Sequence, residues 1–193
     1  MSRLSTCPPW LWAPLVLAAD FVSKRMILAN IDVLSRKVEV LGDFFRLAYV
    51  RNPGAAMGIF HGGRPFLITV SAVASVVLLL LYFRTSPVLR IRRAAVAAIL
   101  GGALGNLVDR IFYDGMVVDF LDFGIGVHRF YTFNIADTAV TIGGAVLFLS
   151  LWIESGADRG VEQAEAAAVT DPNPAPEYLT GTSDSRDDTR DDV

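Results

Sequence analysis

Long apolar runs separated by polar segments set the frame of this chain. Four of them approach the roughly 20 residues of helix that cross a bilayer: residues 10–29, 66–83, 94–112 and 135–153. Phe66–Phe83 carries no charge, with Pro65 and Pro87 outside its ends, where helices start and stop. Ala94–Phe112 is uncharged until Asp109, and Ile135–Ile153 is broken only by Asp137. Trp10–Ala29 is the weakest run, interrupted by Asp20, Lys24 and Arg25. Between the first two runs the pattern changes. Val38–Leu41 and Phe44–Val50 are β-branched and aromatic, with Gly42-Asp43 as a turn signal, and predict two strands. Ala55–Phe60 is small, apolar and too short to span, and predicts a short helix along the interface. The third connection, Tyr113–Phe133, is aromatic and contains glycine, and is expected to fold over the same face. The predicted architecture is an all-α membrane protein: a four-transmembrane-helix bundle with a small extracytoplasmic β-sheet and a short interfacial helix.

Charge sets the topology. Arg84–Arg93 holds four arginines in ten residues, against five basic residues in the longer segment 30–65. By density the short loop faces the cytoplasm. Residues 1–9 are then a cytoplasmic amino terminus, 30–65 and 113–134 extracytoplasmic loops, and 10–153 the working domain. Glu154–Val193 carries eleven acids and three arginines, and with Pro172, Pro174 and Pro176 is expected to be a disordered acidic cytoplasmic tail. Cys7 is the only cysteine, so an internal disulfide and a cysteine-based metal cluster are both excluded. The amino terminus is expected to be a poor cleavable signal, because its apolar run continues through Asp20 to Ala29 without a convincing small-residue cleavage site.

Ionisable groups inside apolar runs cost at least about 2.5 kcal/mol at mid-helix, so they persist mainly where they pair, line a cavity or do chemistry. Asp20 and Lys24 are four apart and share a helix face. They are expected to pair near the outer end of the first span, with Lys24 snorkelling to the interface. Asn106, Asp109 and Arg110 form one polar stripe, beside glycines 101, 102 and 105 that allow close helix approach. Arg110, permanently charged and forked, suits a loop carbonyl or a lipid phosphate. Asn134 and Asp137 open the fourth run, as a helix cap and a first-turn acid or as part of a site. If the third and fourth spans are antiparallel neighbours, Asp119 and Asp137 lie at the same membrane end. Two carboxylates at short range share a proton, so one can activate water while the other polarises a carbonyl. His61 and His128 show no serine partner and no metal-ligand spacing.

Five blocks together then become specific. They are Asp20-x-x-x-Lys24, Asn52-Pro53-Gly54-Ala55-Ala56-Met57-Gly58, Gly101 through Arg110, Val117-Val118-Asp119-Phe120 and Phe133-Asn134-Ile135-Ala136-Asp137. In order and spacing the chain resembles bacterial lipoprotein signal peptidase, or signal peptidase II. The resemblance covers about residues 10–153. It implies an aspartic endopeptidase of the bacterial inner membrane with both termini cytoplasmic and its site near the outer face. Asp119 and Asp137 match the catalytic pair. Asp20, Lys24, Asn52, Gly54, Asn106, Asp109, Arg110, Asn134 and Ala136 match supporting or substrate-contacting positions. The implied substrates are diacylglyceryl-modified prolipoproteins, cut on the amino side of the lipidated cysteine. No metal or organic cofactor is implied. Membrane lipids are expected partners, nucleic acid is not, and the chain is expected to be a monomer. Met57 departs from the usual phenylalanine, and the acidic tail has no counterpart.

Two other classes stay open from the residues alone. One is a transporter or channel that uses Asp20, Asp109 and Asp137 as a proton or cation path. The other is a non-catalytic assembly or lipid-binding protein.

Overall fold

The computed structural model describes residues 7–54 and 63–170. The interfacial helix expected at Ala55–Phe60, together with Met57 and His61, lies outside the described residues. So do residues 1–6 of the amino terminus and 171–193 of the tail. The chain divides into two units, Met1–Trp152 and Ile153–Val193.

A 3₁₀ turn, Pro9–Leu11, leads into α1, Trp12–Ala29. A four-residue α2, Ile31–Leu34, follows, then strands β1, Val38–Leu41, and β2, Phe45–Asn52. The long helices α3, Gly63–Arg84, and α4, Arg90–Phe112, are next. β3, Val117–Ile125, and the short β4, His128–Arg129, precede α5, Ile135–Thr170.

α4 is the central helix of the bundle. Ten of its residues are buried: Val96 and Ala97 pack with Tyr82 of α3, while Gly101 faces α1 and Gly102 faces α5. Glycine makes this possible: a Cβ on Gly101 would come within 2.5 Å of Ala13 O, and one on Gly102 within 2.5 Å of Ala136 O. Leucines and valines of α3 stay exposed, Val73 at 57% and Leu80 at 55%, as lipid-facing side chains should. α3, α4 and Ile135–Ser155 of α5 are long and apolar enough to cross a membrane. α1 spans eighteen residues but carries three charges, which keep it short of that standard.

The small sheet expected beside the helices is present, and it takes in more of the chain than the two strands predicted for it. Its order is β1-β2-β3-β4, antiparallel throughout, so the third connection supplies two of the four strands. Residues 117–125 hide this in sequence because Asp119, Asp122 and Gly124 interrupt a β-branched run. Alternation along β3 sends Val118 and Phe120 into a core with Ile27 and Leu34. Val117 and Asp119 therefore point the other way, towards the end of the bundle. The turn feeding β3 reverses sharply at Asp114 and Gly115, at φ 55° and 82°.

The expected disorder from Glu154 onward does not hold for its first part, because α5 continues to Thr170. Ala, Glu and Gln dominate residues 161–168, and a helix already nucleated in the fourth apolar run extends cheaply through such residues.

Candidate active site

Four elements, β2, β3, α4 and α5, present carboxylates or amides to one cavity of about 340 Å³. β2 and β3 pair Val50 with Asp119 and Asn52 with Val117, so Asn52 and Asp119 are diagonal neighbours on one sheet face. Asn52 Nδ2 donates to Asp119 Oδ2 at 2.9 Å. Asn52 Oδ1 in turn accepts from Gly54 N at 3.0 Å, which closes the turn after the strand. From α4, Asn106 Nδ2 donates to Asp137 Oδ1 at 2.8 Å. Asp137 sits in the first turn of α5, and Asn134 is bound to both carboxylates. Its Nδ2 donates to Asp119 Oδ1 at 2.7 Å, and its Oδ1 accepts from Asp137 N at 2.9 Å. Its backbone N donates to Asp137 Oδ2 at 3.3 Å. Helix cap and site residue are thus the same side chain.

Asn52, Gly54, Asn106, Arg110, Asp119 and Asp137 line the cavity. The other sequence candidates, Asp20, Lys24, Asp109, Asn134 and Ala136, stand behind that wall. Asp20 Oδ1 accepts from Ala136 N at 2.9 Å, and Asp109 Oδ2 from Val118 N at 3.1 Å. Of the stripe on α4, Asn106 and Arg110 thus line the cavity and Asp109 does not. Arg110 holds a loop carbonyl, as its chemistry suggested: Nη2 donates to Gly54 O at 3.2 Å, and Nη1 to Asn106 O at 3.3 Å.

The expected position of Lys24 is wrong. The side chain does not reach the interface but is buried, 2% exposed, between Asp20 at 2.7 Å and Asp109 at 2.9 Å. Sequence spacing showed the Asp20 partner, but not that α4 would bring a second carboxylate. Buried charges persist when paired and hydrogen-bonded, and both conditions hold here. The closed cluster also argues against a cation path, since Asp20 and Asp109 are spent on Lys24 and two backbone amides.

Asp119 is 2% exposed. Burial pushes its carboxyl up to about 6; the hydrogen bond from Asn52 opposes the rise, and the charge of Asp137 adds to it. A carboxyl held there exchanges protons near neutral pH, as a general acid or base must.

Sequence reasoning missed Phe130, Tyr131, Thr132, Thr138, Val140, Thr141 and Ile142 of the wall. Thr138 and Thr141 were accessible to it, since Thr141 stands four residues after Asp137 on the same helix face. The aromatic segment carried no such period. Among the described residues no three His, Cys, Asp or Glu side chains cluster to hold a metal ion.

Comparison with known proteins gives the same framework. The family described as Signal peptidase (SPase) II matches residues 12–153. The lipoprotein signal peptidase of Desulforapulum autotrophicum is 41% identical over 137 residues, covering 68% of this chain and 83% of that protein. That of Moorella thermoacetica is 40% identical over 149 residues, covering 77% of this chain and 95% of the relative. A solved bacterial membrane enzyme, determined in meso at 2.3 Å, superposes with a TM-score of 0.70 at 30% identity. The alignment covers 79% of this chain and 91% of that one. With one matched segment running from α1 through the membrane-crossing part of α5, this integral membrane protein belongs to the signal peptidase II family.

Proposed function

We propose that the protein is a membrane aspartic endopeptidase that removes signal peptides from diacylglyceryl-modified prolipoproteins, with Asp119 and Asp137 as its catalytic pair. One observation carries the reading: Asn134 bonds to both carboxylates at the wall of a single cavity, its Nδ2 to Asp119 and its backbone N to Asp137. The names of the relatives supply the substrate class. α1 serves as a fourth span, because its Asp20 and Lys24 face α4 rather than lipid. The arginines at 84, 90, 92 and 93 set the cytoplasmic side of the inner membrane, which places both termini there and the site near the outer face.

The chemistry follows from two carboxyl groups holding one proton between them. The ionised one takes a proton from water as the water oxygen attacks the scissile carbonyl carbon. The protonated one donates to the carbonyl oxygen, giving a neutral tetrahedral diol. On collapse the C–N bond breaks. The departing nitrogen takes the proton that came from water, a hydroxyl proton returns to the second carboxylate, and the pair again holds one proton. The donors from Asn52, Asn106 and Asn134 fix both side chains in advance, so little reorganisation accompanies the step. Gly54, held by Arg110, is placed to bear on the substrate backbone. Substrate arrives with its acyl chains in lipid and enters from the side.

Purified protein in detergent, given lipid-modified and unmodified precursor, should cleave only the former. Asp119→Asn and Asp137→Asn should each lower kcat by at least about a thousandfold while the protein stays folded. Full turnover by either variant would remove the paired-carboxylate mechanism.

A further inference from the structure

Lys24 does not line the cavity, yet three arms that reach back from the two aspartates meet at it. Its ammonium contacts Asp20 Oδ2 at 2.7 Å, Asp109 Oδ2 at 2.9 Å and Asn106 Oδ1 at 3.1 Å. Each contact leads to the reacting groups. Asp20 holds the amide of Ala136, the residue before Asp137. Asp109 holds the amide of Val118, the residue before Asp119. Asn106 reaches Asp137 itself.

The Asn106 arm carries chemical information as well as position. An ammonium donates and cannot accept, so Asn106 must present its carbonyl oxygen to Lys24. Asn134 Nδ2 points at the same oxygen, at 3.3 Å, and its polarity is fixed independently because its own Oδ1 accepts from Asp137 N. Asn106 Nδ2 is thereby committed as a donor to Asp137 Oδ1.

We propose that Lys24 is a positioning residue that ties both catalytic aspartates to one buried cation and, through Asn106, keeps an amide donor turned towards Asp137 Oδ1. This rests on the catalytic reading of Asp119 and Asp137. Space around the hub is closed: a Cβ on Gly105 would lie 2.5 Å from Asp20 Oδ2. Lys24 supplies three donors where a neutral residue of similar length supplies fewer, and its charge balances two buried carboxylates.

The test measures kcat and KM of the full-length protein in detergent with lipid-modified precursor. The variants are Lys24→Met, Asn106→Ala and their combination, each checked for a cooperative thermal transition. Lys24→Met should lower kcat about a hundredfold with KM within about threefold, as for a misplacement behind the reacting groups. The double variant should fall well short of the product of the two single losses, because both remove the same arm. If Lys24→Met does not fold, Lys24→Gln serves: its amide still donates to Asn106, and it should retain more kcat than Asn106→Ala. A folded Lys24→Met with kcat within about threefold of wild type would overturn the role, and so would losses that multiply in full. Lys24→Gln no better than Asn106→Ala would do the same. Asp137→Asn runs beside these. If it turns over, the catalytic reading fails and the proposal with it; if it is dead while Lys24→Met is normal, only the role of Lys24 is lost.

Discussion

Asn134 is fully buried and serves Asp119, Asp137 and the start of α5 at once. Its two duties can be separated. Serine caps helices as well as asparagine does but is too short to reach Asp119. Asn134→Ser should keep the thermal midpoint within a few degrees yet cleave precursor at least about tenfold more slowly. Asn134→Ala should lose both, with about 1 kcal/mol of stability gone with the cap. Equal cleavage by the serine variant and wild type would show that the bond to Asp119 is dispensable.

Asp119 gives a second test at the same scale. In the unfolded chain its proton leaves near 3.8, in the folded chain at about 6. Between those values the folded state holds the extra proton. The contribution of Asp119 is therefore greatest below pH about 4 and declines as pH rises towards 6, by about 3 kcal/mol in all. Thermal unfolding in one detergent across that range should show a slope that Asp119→Asn flattens. Identical profiles for the two proteins would mean that burial does not set the proton affinity of this group.

Among the elements, α4 and β3 teach opposite lessons about legibility. The polar residues of α4 announced themselves by helical spacing inside an apolar run, and Asn106 and Arg110 indeed reach the cavity. β3 gave no such period, and the partner that holds its aspartate, Asn52, is 67 residues away. Local pattern has no access to pairing at that distance. Lys24 sits between these cases: one of its carboxylates lies on its own helix and the other on α4. The helix interface itself can be probed at Gly105, where any side chain meets Asp20. Gly105→Ala should displace that carboxylate from Lys24 and Ala136 and lower kcat about tenfold or more in protein that still inserts. Gly144→Ala, whose Cβ would meet nothing within 4 Å, should behave as wild type. Comparable activity of the two variants would show that α4 can shift away from α1 without consequence.

For the molecule as a whole, the matched family segment ends at residue 153, and the site is complete before it. The eleven acids from Glu154 onward were visible as a composition shift, whereas the helical continuation to Thr170 was not, because net charge masked its alanine content. Deleting residues 160–193 should leave cleavage in detergent within about twofold of the full chain. A well-inserted truncation with collapsed activity would give the tail a part in catalysis.

The cavity wall includes Val140 and Ile142, 37% and 60% exposed, from the part of α5 that is long and apolar enough to cross a membrane. Any ligand entering past these side chains is drawn from a two-dimensional phase rather than from the aqueous buffer. Inhibitor potency should therefore follow mole fraction in the micelle or bilayer, so that adding empty detergent at fixed total drug weakens inhibition by surface dilution.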